Sequence, residues 1–287
     1  MEHLKILINL TRINKPIGFM LLFWPCSWGI AYAHYYNPEL KTNLIYLFLF
    51  FIGAVLMRSA GCIFNDIVDK DLDKKVERTK LRPIAANKIS VKKSFLYIVL
   101  LCSLAFLILI QFNLLTIILG LGSMILAFSY PFMKRITYWP QLFLGLTFNW
   151  GIIMAWTAIN DYISINIIIL YISAIFWTLG YDTIYGAQDM VDDEIIGIKS
   201  ASIKFKDNIK FFVSCSYFLT LSILSYLFFE FIGLNIFTIM FIFFTISLIY
   251  QIFKFDKSNP KSCLNVFKFN NFSEFILFLT ICSINYL

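Results

Sequence analysis

Apolar residues along the chain come in long continuous runs, separated by short polar segments. A helix needs about 20 apolar residues to cross the hydrocarbon layer of a bilayer. Nine stretches approach or exceed that length: residues 17–35, 43–64, 95–112, 114–132, 139–159, 163–186, 211–232, 235–253 and 272–287. The last is the shortest and carries Glu274. Pro25 predicts a kink in the first, which membrane helices tolerate when neighbours satisfy the freed carbonyl. No stretch alternates apolar and polar residues as a membrane β-strand does. The pattern therefore predicts an all-α, polytopic membrane protein with about nine transmembrane helices. So many spans leave no room for a large soluble domain, and residues 1–287 read as a single transmembrane domain.

Composition makes the bilayer unavoidable. Hydrophobic residues are 60% of the 287, charged residues only 14%, and 32 are phenylalanine. An ordinary soluble domain is roughly 45–50% apolar. The mean hydropathy of +0.77 points the same way.

Charge then orients the bundle. The net charge of +7 does not predict a nucleic-acid surface, because the main basic loop, 66–94, is also a main acidic one. With the N-terminus in the cytoplasm, 22 of the 24 Lys and Arg residues lie in cytoplasmic segments. Lys41 alone lies on the other side, and Arg58 lies inside the second span. That is the asymmetry by which membrane proteins set their orientation. The six cysteines are scattered without a C-x-x-C pair and read as small core residues. Residues Met1 to Thr11 lack the layout of a signal peptide, and no Arg- and Ser-rich transit segment precedes the first span. These features predict a bacterial inner membrane, with the N-terminus and the aspartate-rich loops cytoplasmic. No obligatory protein partner is evident.

Two loops on that cytoplasmic face begin with bursts of aspartate. The first, Asn65-Asp66-Ile67-Val68-Asp69-Lys70-Asp71-Leu72-Asp73, follows span 2. On a continuous helix Asp66, Asp69 and Asp73 fall within about 60° of one another, while Asp71 points elsewhere. The second runs from Tyr181-Asp182 through Tyr185 and Asp189 to Asp192-Asp193, after span 6. Asp182, Asp189 and Asp193 share a face within about 40° if the helix continues. Either cluster alone is compatible with a solvated loop start. Two on one face, each extending an apolar span, point to a site. Three carboxylates on one face repel unless a cation sits between them, and hard oxygen donors at this density suit Mg²⁺ shared with substrate phosphates. The EF-hand calcium pattern and phosphate-binding glycine loops are missing from the sequence. Basic residues for phosphate oxygens lie nearby at Arg78, Lys80, Arg82, Lys134, Arg135 and Lys199, each also readable as an orientation signal or lipid-headgroup contact. Arg58 differs: it lies about two turns inside span 2, on nearly the face of Asn65, and an arginine there needs an anionic partner.

These residues carry a close resemblance to the UbiA superfamily of membrane prenyltransferases. Asn65, Asp66, Asp69 and Asp73 match its NDxxDxxxD motif, and Tyr181, Asp182, Tyr185 and Asp189, continued by Asp193, match its YDxxYxxxD-type region. Flanking blocks are similar to the 4-hydroxybenzoate branch: Asn14-Lys15-Pro16-Ile17-Gly18, Phe23-Trp24-Pro25, Arg58-Ser59-Ala60-Gly61-Cys62, Tyr130 to Arg135, and Ile196-Gly197-Ile198-Lys199-Ser200. The resemblance implies helices around a central cavity, Mg²⁺ as cofactor, and polyprenyl diphosphate and 4-hydroxybenzoate as substrates. It further implies prenyl transfer to the ring carbon ortho to the hydroxyl, an early step of ubiquinone synthesis. On it, Asn65, Asp66, Asp69 and Asp73 hold one magnesium ion and Asp189 and Asp193 the other. Arg78, Lys134 and Arg135 neutralise the diphosphate, and Arg58, with Arg12 as rival, takes the benzoate carboxylate. Asp182 and Tyr185 position the acceptor or take the ring proton. Two rivals stay open: a family member with a naphthoate, homogentisate or haem acceptor, and a transporter using Asp182 and Arg58 as an intramembrane relay, for which broken helices in paired positions are expected.

Overall fold

Capping residues set the ends of the helices into which the apolar runs fold. Ser90, Asn113, Ser164, Asn235 and Asn259 each accept a hydrogen bond from a backbone N–H in the following first turn, satisfying donors that a helix start otherwise leaves unpaired. The computed structural model describes residues 2–286, with no strand among them. In chain order the helices are α1 (Glu2–Thr11), α2 (Ile17–Tyr36), α3 (Leu40–Val68), α4 (Lys70–Asp73), α5 (Val91–Leu109), α6 (Leu114–Ile136), α7 (Pro140–Phe148), α8 (Trp150–Asn160), α9 (Ile165–Gly186), α10 (Met190–Ile195), α11 (Ala201–Lys204), α12 (Ile209–Leu227), α13 (Ile236–Lys254) and α14 (Pro260–Ser283).

Among the described residues, nine rods correspond to the nine predicted spans, with α7 and α8 forming one. Seven are long and apolar enough to cross a membrane by length and composition. The other two, α2 and α14, are long but less apolar. Helix α2 is rich in Trp and Tyr and is buried from Leu21 to Ala33 apart from half-buried positions near its start. It runs unbroken through Pro25.

Helix α14 corrects the ninth predicted span. It begins at Pro260, twelve residues before the predicted start, and so absorbs much of a predicted loop. Its polar residues from Asn270 to Glu274 face protein. Trp24 Nε1 donates to Asn271 Oδ1 at 2.9 Å, Trp28 Nε1 to the Glu274 carbonyl at 3.0 Å, and Trp177 Nε1 to Asn270 Oδ1 at 2.9 Å. Gln251 Nε2 on α13 donates to Ser273 Oγ at 3.0 Å.

Helix α2 is central, packed against α3, α8 and α14. Its crossing with α8 has no room for side chains. A β-carbon on Gly29 would stand 2.5 Å from the Ile152 carbonyl oxygen, and one on Gly151 would collide with Cys26 Sγ. Small residues that let backbones approach are how membrane helices gain contact without a hydrophobic driving force. Asn149 lies at the junction of α7 and α8, where its side chain donates to the Gly145 carbonyl at 2.9 Å and to Thr178 Oγ1 at 2.8 Å. The main core fills the space between α2, α8, α9, α12, α13 and α14. Helices α5 and α6 are the least buried rods. They form a thin wall over the cavity described next.

Candidate active site

A cavity of about 1670 Å³ lies between α2, α3, α5, α6, α8 and α9. Its walls are mostly apolar, from Leu22, Phe50, Val99, Phe106, Met124 and Phe128 among others. Its polar end collects Arg12, Arg58, Asn65, Arg78, Arg82, Tyr130, Asp182 and Tyr185. These come from seven places in the sequence, which the helix packing brings to one end of the bundle.

The first aspartate cluster does not sit on one continuous helix. Helix α3 ends at Val68, Asp69 takes φ −94° and ψ 6°, and α4 restarts the chain in a short turn. The helix on which the common face was predicted is therefore interrupted at Asp69. Asp66, Asp69 and Asp73 are all buried. The second cluster is interrupted as well, because residues 187–189 tighten into a 3₁₀ turn before α10. Asp193 lies in α10, partly exposed.

Cations do sit between these carboxylates, and they are side chains of the protein. Arg12 pairs with Asp66. Arg82 Nη1 bridges Asp66 Oδ1 at 3.2 Å and both Asp73 oxygens at 2.9 and 2.8 Å. Lys134 pairs with Asp69, and Arg135 Nη2 reaches Asp69 Oδ1 at 3.6 Å and bonds the Val68 carbonyl at 2.6 Å. Arg78 Nε contacts both Asp189 oxygens, at 2.8 and 2.9 Å, and its guanidinium lies 5.9 Å from the Tyr185 ring centre. Burial works against the Arg78 charge, but its bonds to Asp189 more than offset it, and its pKa stays above the ordinary arginine value. Asp71, by contrast, is exposed and pairs only with Lys74, whose hydrogen bond and charge lower its pKa. Arg12 is held with φ +55°, a left-handed conformation that costs a non-glycine residue energy and accumulates at functional sites.

Two carboxylate oxygens, Asp66 Oδ2 and Asp69 Oδ1, are buried without a hydrogen-bond partner. Buried anionic oxygens of this kind are costly unless something pairs with them. Together with Asn65, Asp73, Asp189 and Asp193 they make an all-oxygen donor set of the kind Mg²⁺ prefers. As they stand, among the described residues no three acidic, histidine or cysteine side chains converge tightly enough to hold a metal. The donors fit the ion in chemistry, and their present partners are arginines and lysines.

Arg58 is set apart from this network. It forms no ion pair among the described residues, and its Nε is buried without a partner. Its guanidinium carbon lies 5.2 Å from the Phe148 ring centre. Asp182, Tyr130 and Tyr185 line the same cavity. Tyr185 packs on Phe267 of α14 with ring centres 4.4 Å apart.

The sequence reading missed four positions. Arg82 was visible only as one of several basic residues, although it is the bridge between Asp66 and Asp73. Lys268 and Asn271 line the cavity from a segment predicted as loop. Gln188, which lines it too, carries no signal in the sequence beyond its neighbour Asp189.

Comparison with known proteins agrees with this geometry. Residues 22–273 match the model of the UbiA prenyltransferase family. The chain is 46% identical over 214 residues to an Arabidopsis thaliana protein named 4-hydroxybenzoate polyprenyltransferase, mitochondrial, a match that covers 74% of this chain and 52% of the relative. It is 42% identical over 280 residues to the Homo sapiens protein of the same name, covering 96% of this chain and 74% of the relative. The chain thus spans about half the length of several of the curated relatives it matches. Among solved structures it superimposes on an apo UbiA homolog from Aeropyrum pernix K1 with a TM-score of 0.76, at 19% identity, over 93% of this chain and 98% of that one. A UbiA homolog from Archaeoglobus fulgidus bound to GPP and Mg²⁺ gives 0.73 at 15% identity, over 98% of this chain and 100% of that one. At such identities these likenesses concern the fold.

Proposed function

The chain belongs to the UbiA prenyltransferase family, and on that footing we propose that it transfers a polyprenyl chain from polyprenyl diphosphate to the 3-position of 4-hydroxybenzoate, releasing diphosphate, as a step of ubiquinone synthesis. One observation carries the reading. A long apolar cavity ends where two aspartate clusters, their arginine and lysine partners, and a guanidinium without an ion pair meet.

Each part has a task. The apolar walls accommodate an isoprenoid tail that water would reject. Asn65, Asp66, Asp69 and Asp73 would hold one magnesium ion, and Asp189 and Asp193 a second. When bound, the metal supplies Lewis-acid stabilisation of charge on the diphosphate. Arg78, Lys134 and Arg135 leave their aspartate partners for diphosphate oxygens, and so neutralise the charge that develops as the allylic C–O bond breaks. Arg58 receives the carboxylate of the aromatic acid, which fixes the ring. Arg12, committed to Asp66, serves the metal end instead. The electron-rich ring carbon ortho to the hydroxyl then forms the new C–C bond. The displaced ring proton passes to the Asp182 carboxylate, with Tyr185 holding the ring in register.

We place the whole chain in the bilayer as one catalytic unit, with the N-terminus and both aspartate loops on the side carrying the 22 basic residues. A bacterial inner membrane remains our reading of its location, although the curated relatives are named as mitochondrial.

The test is a product assay on membranes expressing the chain, with magnesium, a polyprenyl diphosphate and 4-hydroxybenzoate. A dihydroxynaphthoate control and an Asp69→Ala variant accompany it. Magnesium-dependent 3-polyprenyl-4-hydroxybenzoate, absent in the variant, is expected. Product with the naphthoate alone would keep the chemistry and change the acceptor. No prenylated product from any acceptor, in folded protein, would overturn the reading.

A further inference from the structure

The carboxylate-binding role of Arg58 depends on where its guanidinium is held, and two residues outside every aspartate motif hold it. Gly18, in the first turn of α2, lies against its edge: a β-carbon there would stand 2.9 Å from Arg58 Nε, 3.5 Å from Nη2 and 3.6 Å from Cζ. Such a separation is too short for any real contact, so a side chain at position 18 and the present guanidinium position exclude each other. Phe148, the last residue of α7, adds its ring at 5.2 Å from Cζ, within cation–π range. The Nε atom is enclosed without a hydrogen-bond partner. Arginines at this depth ordinarily find a carboxylate. This one is held by a glycine backbone and an aromatic ring, neither of which competes for its outer N–H groups. Gly18, Arg58 and Phe148 all line the cavity, on three different helices.

We infer that Gly18 and Phe148 are positioning residues for the acceptor: they fix the Arg58 fork in the cavity wall so that it selects a planar aromatic acid over a neutral analogue. The proposal rests on the reading of Arg58 given above. A fixed planar fork matches a carboxylate through two parallel charge-assisted bonds, which a displaced fork or an ammonium cannot reproduce.

The experiment uses the full chain, purified in detergent. It measures binding of 4-hydroxybenzoate and of 4-hydroxybenzamide without prenyl donor, and steady-state kinetics with both substrates. Gly18→Ala is expected to weaken 4-hydroxybenzoate binding and raise its KM about ten-fold. The KM for polyprenyl diphosphate, kcat at saturation and binding of the amide should stay within about two-fold, because none of them involves the carboxylate. Phe148→Leu should show the same pattern more weakly, and it serves as the second probe if Gly18→Ala folds poorly. The double variant Gly18→Ala/Arg58→Ala should bind the acid no worse than Arg58→Ala alone, since a side chain cut back to its β-carbon leaves no guanidinium for the new methyl group to displace. Equal loss for acid and amide, or a rise in both KM values, would make Gly18 and Phe148 mere supports of the bundle and overturn the inference. An Arg58→Lys variant with unchanged affinity for the acid would instead refute the role of Arg58 itself, a separate and recognisable result.

Discussion

Replacing Asp69 by asparagine separates two roles that a single deletion would confuse. The Asp69 carboxylate is fully buried, its Oδ1 has no hydrogen bond, and its pair with Lys134 is its closest charge contact, with Arg135 at 3.6 Å. Removing one member of a fully buried ion pair costs about 3–5 kcal/mol, because the other is left uncompensated. Lys134 keeps about a quarter of its side chain exposed, so water relieves part of that penalty and ~2 kcal/mol is the expected loss. For a chain of this size that lowers the melting temperature by about 3–4 °C. In the metal-ligand role proposed above, Asp69 would contribute separately to turnover, which should then fall at least about 100-fold, or ~2.7 kcal/mol of barrier. Lys134→Met removes the other partner and also the diphosphate contact proposed for it, so it should lower both quantities on its own. The double variant Asp69→Asn/Lys134→Met should recover the melting temperature of the parent to within about 2 °C, since neither charge is then stranded. Its turnover should nonetheless lie at least about ten-fold below that of Lys134→Met alone. Melting of the detergent-solubilised protein and product formation measured in parallel decide the matter. A double variant with the turnover of Lys134→Met would mean that Asp69 merely anchors the lysine, and the metal role would be refuted.

Other expectations follow from the same geometry. Asp71 is exposed and faces away from the cavity, so Asp71→Asn should keep turnover within about two-fold of the parent, as exposed pairs contribute little; a large loss would place it in the site. Chelation of divalent cations should abolish prenyl transfer and added Mg²⁺ should restore it; retained activity in chelator would contradict the all-oxygen donor set. Gly29→Ala should lower the melting temperature by the equivalent of about 1–3 kcal/mol, because its methyl group meets the Ile152 backbone, which cannot yield as a flexible side chain would; unchanged melting would refute the close α2–α8 crossing.

Much of the architecture was legible because the bilayer imposes a simple code. Apolar runs at 114–132, 163–186 and 235–253 reappear as helices whose starts lie within a few residues of the expected ones. The code failed at α14, where Asn270, Asn271, Ser273 and Glu274 hide a buried helix behind a polar sequence. Hydropathy registers the side chain and is blind to the indole or serine that satisfies it. The aspartates were found from their helical phase, although α3 stops at Val68 and the chain is not one continuous helix across them; all three are nonetheless buried and ion-paired. What one-dimensional reading could not supply was pairing. Arg82 lies nine residues beyond Asp73 and yet bridges it to Asp66, and Arg78 meets Asp189 across 111 positions of sequence. Arg58 stood out in the sequence as a cation inside an apolar run, and it lies within α3 with its Nε buried, but nothing in its surrounding sequence pointed to Gly18 or Phe148 as its neighbours.

The three indole bonds to α14 bear on how the molecule is made. Helix α14 carries Lys261, Lys268, Asn270, Asn271 and Glu274, a sequence that would partition poorly into lipid by itself. Its indole partners belong to α2 and α9, which leave the ribosome well before it. Insertion of α14 is therefore expected to be templated: earlier segments that already stand in the membrane with their tryptophans presented would favour its entry. A nascent chain halted before Pro260 would display three unmet indole donors to whatever surveys unfinished membrane proteins.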